Sequence, residues 1–353
     1  ISLYSPMEER RNHRIIRIAV LVVISLQSAC HSISTNYSRG IKRETYSPLE
    51  VIAVAEIMKL IVSGTLTVVE MKDTNRFLTK LYKLMRLILS GRRVAVLVIM
   101  YSISNVLPFF AIPIIGAPIY SVVTQMKIFL TAVFATVLLG RSYSAAKWRA
   151  LALLVVGCVL VSSPMFAPGC EETTNIKGDK GGQEDKSVSP VMAVLGLAAT
   201  LLQACISALS SVYFEGLLKD KDAELSIWER NFQLAFYSIV VVLLSMSAQH
   251  VSAAFRGRAQ LHSLSLTFPG LFEGWTWLAL LNATLLGLGG MLVAATLKYA
   301  DAILKCFATA VSIIMISVAG HFILDSRIDV YVGIGMIVTV ISIFNYALDY
   351  DPS

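Results

Sequence analysis

Long apolar runs separated by short polar or basic stretches dominate the chain, and their length rather than their periodicity decides what they are. Ten such runs lie at about residues 15 to 35, 49 to 70, 94 to 112, 116 to 139, 146 to 163, 190 to 215, 228 to 248, 275 to 297, 302 to 324 and 329 to 348. Each comes close to the roughly 20 residues that carry a helix across a bilayer. The first ends in polar His31-Ser-Ile-Ser-Thr35 and the sixth carries Gln203 and Glu215, so these two are the least regular. Pro168 to Lys186, between the fifth and sixth runs, is rich in glycine, charge and turn formers and reads as a flexible linker.

This pattern predicts an all-α polytopic membrane protein with ten transmembrane helices. A shift of about 185 residues brings Leu139-Gly-Arg onto Leu324-Asp-Ser and Thr124 onto Thr309. Each half holds five spans, and an odd number forces the second copy to enter the membrane upside down. The expected organisation is two inverted five-helix repeats, residues 1–163 with a polar tail and 190–353, joined by a linker at 164–189 on the far side of the membrane. In such repeats the binding site lies near the bilayer midplane at the repeat interface.

Composition agrees with that class. The chain is 56% hydrophobic and only 15% charged, with a mean hydropathy of +0.70, which excludes an ordinary soluble domain. A net charge of +7 would suggest nucleic acid in a soluble protein. Here the basic residues gather between spans, seven of them from Lys72 to Arg93, and their use is topological, with no nucleic acid implied. Met7-Glu-Glu-Arg-Arg-Asn-His-Arg14 is too polar for a signal-peptide core and reads as a cytosolic tail. An even span count then puts both termini in the cytosol. The five cysteines are scattered and define neither a disulfide framework nor a metal spacing.

The charge that most needs explaining is Lys127, near the centre of the fourth run. It stands about a dozen residues from either end, on the order of 16 Å from each surface, which is too far for its stem to snorkel. Val123, Thr124, Leu130 and Thr131 occupy the neighbouring helical positions, so no carboxylate on the same helix neutralises it. Charged groups at such depth face a cavity and mark a substrate or ion path, or else meet an acid from another helix. Glu56 and Lys59, three apart in the second span, are placed to pair with each other. Lys298, Asp301 and Lys305 supply two ammonium groups for one carboxylate. The membrane interior is therefore net positive, which suits an anionic ligand.

Polar and aromatic groups recur on the same spans: Tyr101 and Asn105, Tyr120 and Gln125, Tyr213, Asn231 and Gln233. Rings for stacking and amides for hydrogen-bonding edges are what a base or sugar requires. Small residues crowd the eighth and ninth spans, with Gly287-Leu-Gly-Gly290 inside a lipid-length run where it permits close helix approach. Asn36-Tyr-Ser38 is a formal glycosylation sequon near the far surface, whereas Asn282-Ala-Thr284 falls inside a span. The five histidines share no face, no metal spacing appears, and no serine lies in a nucleophile motif, so no enzyme, cofactor or metal is expected.

Several of these stretches together resemble the nucleotide-sugar transporters of the drug/metabolite transporter superfamily, in the branch that carries CMP-sialic acid, UDP-galactose and UDP-N-acetylglucosamine. They are Asn36-Tyr-Ser-Arg39, Ala55-Glu-Ile-Met-Lys-Leu60, Tyr120 to Thr131 with Gln125-Met-Lys-Ile128, Val212-Tyr-Phe-Glu215, Trp228-Glu-Arg-Asn-Phe-Gln-Leu234, and Lys298-Tyr-Ala-Asp-Ala-Ile-Leu-Lys-Cys-Phe-Ala-Thr309. The resemblance implies a multi-pass carrier of the Golgi membrane, with the endoplasmic reticulum as the alternative. It would exchange a cytosolic CMP- or UDP-sugar for the luminal nucleoside monophosphate by alternating access. It also implies that Lys127 and Lys298 meet the phosphate, that Tyr101, Asn105, Tyr120, Tyr213 and Asn231 line the nucleotide pocket, and that Lys59 belongs to the binding set.

Asn105 stands alone where relatives have paired asparagines, Ser104 takes the place of a glutamine, and Pro108, Pro113 and Pro118 stiffen the third and fourth spans. The base and sugar stay open on that account, as does the choice between monomer and homodimer. Two other readings compete: carriage of some other phosphorylated or anionic metabolite, and an intramembrane lipid-phosphate enzyme. The second would want a carboxylate pair or a metal site near the surface, and the sequence offers neither.

Overall fold

The computed structural model describes residues 6–71, 77–162, 190–220, 225–255, 272–324 and 329–348. The linker expected at 164–189 lies outside them. The described residues form eleven α-helices in order: α1 (Pro6–Asn36), α2 (Pro48–Glu70), α3 (Phe77–Leu89), α4 (Arg92–Thr124), α5 (Lys127–Leu139), α6 (Ala145–Val161), α7 (Pro190–Lys219), α8 (Ile227–Phe255), α9 (Trp277–Tyr299), α10 (Ala302–Leu324) and α11 (Val330–Leu348). A π-helical turn, Tyr37–Ile41, extends α1, and the described residues contain no strand.

Nine segments among the described residues are long and apolar enough to cross a membrane. The remaining predicted span forms as α6, which at 17 residues falls short of the others. The third and fourth spans run together in α4, where Gly116 alone makes the corner with φ 78° and ψ 154°. That backbone conformation belongs essentially to glycine, so the connection needs no loop. Large apolar side chains such as Phe109, Val137, Phe322 and Leu348 stay exposed, as surfaces that meet lipid tails do.

Helix ends are set by local chemistry. α8 opens with a reciprocal capping box: Glu229 N donates to Ser226 Oγ (3.3 Å) and Ser226 N donates to Glu229 Oε2 (2.7 Å). Ser144 accepts from Lys147 N at the start of α6, Thr276 Oγ1 accepts from Leu278 N at the start of α9, and α5 ends on left-handed Gly140.

The chain divides into two compact units, residues 1–99 with 214–312 and residues 100–213 with 313–353, so that the dividing points fall inside α4, α7 and α10. In the first unit α2 packs on α8 and α9, and α1 on α9. Tyr46, Val51, Ala279 and Ala283 form a buried cluster there. In the second unit the main packing is α6 on α11. A β-carbon on Gly335 would fall 2.7 Å from the backbone nitrogen of Val161, so these two helices meet backbone to backbone. Ser342 Oγ adds a 2.6 Å bond to the carbonyl of Ala150.

From its sequence, residues 71–93 read as a basic loop. The structure instead forms α3 there, a helix of 13 residues too short to span.

Candidate functional site

Lys127 is the first residue of α5 and sits at an interruption of its span. Gln125 N bonds Val122 O, Met126 N bonds Val123 O and Ile128 N bonds Gln125 O, each at 3.0 to 3.1 Å. The ladder tightens from i+4 to i+3 over this stretch, a local 3₁₀ geometry of the kind found at functional hinges. No carboxylate among the described residues forms an ion pair with the Lys127 ammonium. In the same unit Tyr101 hydrogen-bonds Ser210, Asn105 is exposed, and Tyr120 and Tyr213 are half-buried. The side-chain carbonyl oxygen of Gln203 on α7 is buried without a hydrogen-bond partner among the described residues. In the sequence that residue is only a blemish in a span, although its polarity in an apolar run is the available signal.

The first unit holds the other three candidates. Lys59 is 7% exposed and pairs with Glu56 at 2.7 Å, as their spacing predicts. Its stem runs along α9, where Gly290 leaves the room: a β-carbon there would come within 2.9 Å of Lys59 Cδ. At Gly287 the same helix comes within 3.1 Å, on the same measure, of the Ala55 carbonyl oxygen. The glycine stretch thus brings α9 onto α2.

Asn231, on the first turn and a half of α8, is 1% exposed, and neither of its side-chain amide atoms has a hydrogen-bond partner among the described residues. An unsatisfied buried amide costs about 1 to 3 kcal/mol, so its retention asks for a reason. Lys298 lies in the last turn of α9, and its ammonium has no ion-pair partner among the described residues.

Sequence spacing offers Asp301 as a partner for Lys298 or Lys305. In the structure Asp301 Oδ2 lies 3.5 Å from Arg17 on α1, and its Oδ1 accepts from Leu304 N to cap α10. A second acid supports the same corner. Glu215, fully buried, accepts from Ala302 N (2.8 Å) and from Lys219 Nζ (2.8 Å), while that ammonium also donates to the Ala300 carbonyl (2.5 Å). Two carboxylates thus meet the positive end of α10, and a cation meets the end of α9, as the helix dipoles favour. Glu215 and Asp301 are thereby occupied with structure.

Among the described residues no two of the eight candidates hydrogen-bond each other. Tyr101, Asn105, Tyr120, Lys127 and Tyr213 belong to one unit, and Lys59, Asn231 and Lys298 to the other. The first sequon is accounted for structurally. The Ser38 hydroxyl is buried, donates to Glu44 Oε2 (2.6 Å), and shares a 3.0 Å bond with the Tyr46 hydroxyl, which accepts from Asn282 Nδ2. No group of three or more metal-ligating side chains occurs among the described residues.

The family model described as "Nucleotide-sugar transporter" matches residues 12–347. The chain belongs to the nucleotide-sugar transporter family. Over 341 residues this transporter is 32% identical to the UDP-N-acetylglucosamine/UDP-N-acetylgalactosamine transporter nstp-4 of Caenorhabditis elegans, covering 94% of this chain and 93% of that one. It is 27% identical to the UDP-N-acetylglucosamine transporter of Rattus norvegicus, covering 94% and 95%, and 29% identical to the UDP-galactose transporter of Schizosaccharomyces pombe, covering 92% and 86%. A solved crystal structure matches the transporter's fold with a TM-score of 0.61 at 13% identity, over 96% of this chain and 98% of the other.

Proposed function

We propose that this transporter is a UDP-sugar antiporter of the Golgi membrane that brings a cytosolic UDP-sugar into the lumen in exchange for UMP, with both termini cytosolic and two inverted five-helix repeats alternating in access. The relatives named above are UDP-sugar transporters by name, which favours uracil over cytosine as the base. Lys127 is the observation that carries the rest: an ammonium deep in a span, beside a 3₁₀ break, with no acid among the described residues to neutralise it. It and Lys298 are the phosphate ligands. Tyr101, Asn105, Tyr120 and Tyr213 serve the nucleotide, together with Asn231, whose orphaned amide a base or ribose edge would satisfy. Lys59 is held ready by Glu56.

Such a set gives exchange rather than one-way flux. Closing the empty carrier leaves an ammonium without water or partner, which costs several kcal/mol per ion. Bound phosphate removes that cost, so only the loaded protein crosses its occluded state readily. Lysine suits the task because a compact point charge releases its ligand without breaking a bidentate fork.

The test uses proteoliposomes loaded with UMP, with CMP, or with neither, and labelled UDP-N-acetylglucosamine or UDP-galactose outside. UMP inside should stimulate uptake strongly and CMP weakly. Equal uptake into empty vesicles would overturn exchange, and equal stimulation by CMP would overturn the choice of base.

A further inference from the structure

α3 divides into three faces. One packs on α8, where Leu87 is buried, Gln233 Nε2 donates to the Leu87 carbonyl (2.7 Å) and the Tyr237 hydroxyl donates to the Ile88 carbonyl (2.7 Å). Both carbonyls also accept within the turn that follows, from Ser90 Oγ and Gly91 N, and the bonds from α8 fix α3 to the body of its unit. The second face carries Tyr82, Met85 and Leu89, which are 67%, 55% and 77% exposed. At about 100° per residue they fall within one narrow stripe. The third face, next to that stripe, carries exposed Lys83 and Arg86, with Arg92 following at the exposed start of α4. The helix contains no acid.

Place and chemistry together identify what meets the two outer faces. α2 and α4 are consecutive membrane-length segments, so whatever joins them emerges at a single membrane surface. An anchored helix there, too short to span, with an apolar stripe bordered by cations, has the form of an interfacial helix. We infer that α3 lies in the plane of the membrane surface, with Tyr82, Met85 and Leu89 sunk among acyl chains and Lys83, Arg86 and Arg92 on anionic headgroups. The occupant is an anionic lipid surface, which the charge of the basic edge complements. Because the helix is tied through Gln233 and Tyr237 to α8, headgroup binding steadies the unit that holds Lys59, Asn231 and Lys298.

Hydrogen exchange of residues 79–89 in the purified full chain tests this, in nanodiscs of phosphatidylcholine alone and with about one-fifth phosphatidylserine. Exchange should slow about tenfold in the anionic discs. The slowing should vanish in about 0.5 M sodium chloride and in the Lys83→Gln/Arg86→Gln variant, and persist in Lys83→Arg/Arg86→Lys. Equal exchange in both discs would overturn the inference. So would lipid dependence that survives in Lys83→Gln/Arg86→Gln, since another surface would then be the one that binds.

Discussion

Lys59 and Gly290 share one volume between α2 and α9: a β-carbon on the glycine would come 2.9 Å from Cδ of the lysine and 3.0 Å from its Nζ. Real side chains almost never approach so closely, and what yields is the flexible lysine rather than the helix. Gly290→Ala should therefore displace the ammonium from Glu56 and leave the fold standing. The expected result is a several-fold fall in uptake by proteoliposomes with a melting temperature within a few degrees of the wild type. A variant that transports normally would show that the position of Lys59 does not matter.

Glu215 is buried at the α9–α10 corner, where it accepts from both Ala302 N and Lys219 Nζ. Removing one partner of a buried pair costs about 3 to 5 kcal/mol when the charge left behind stays buried. Lys219→Met is that case, since it takes a cation from the fully buried Glu215 carboxylate, and should show a large fall in melting temperature. Glu215→Ala leaves a partly exposed ammonium that keeps its bond to the Ala300 carbonyl, and should lose less. A larger loss in Glu215→Ala would show that the bond to Ala302 N, rather than the ion pair, holds the corner.

Lys127→Ala should abolish the stimulation of uptake by internal UMP. Lys127→Arg keeps the charge but imposes a fixed fork, and should bind the monophosphate while turning over slowly. Binding is read by thermal shift, since a ligand that binds only the folded state raises its stability. Undiminished exchange in Lys127→Ala would remove this residue from the mechanism.

In the second unit, Gly335→Ala drives a methyl against the backbone of Val161, and backbone cannot rotate aside as a side chain can. A loss of about 1 to 3 kcal/mol is expected for such overpacking, measured by thermal unfolding in detergent. Gly333, on the same helix with nothing within 4 Å of where a methyl would stand, is the control and should tolerate alanine.

The spans are legible in the sequence because lipid dictates length and apolarity, and Lys127 is legible because nothing else in its run is charged. The pairing of Glu56 with Lys59 follows from their spacing. What the sequence conceals is of two kinds. The bond from Asp301 to Arg17 joins residues far apart in the chain, and no local pattern announces it. The 3₁₀ tightening at Gln125 to Ile128 carries no glycine or proline, so its residues look like ordinary helix. α3 is hidden differently: its lysines and arginines read as topological signals, which obscures the apolar stripe interleaved with them.

The corner at Gly116 leaves the polypeptide no slack. From that single residue to Lys127 the path is an α-helix to Thr124 and a 3₁₀ turn after it, with no loop between, so the compass bearing of the ammonium is set by a count of residues. One inserted or deleted amino acid between them would swing it by about a third of a turn, away from whatever it serves.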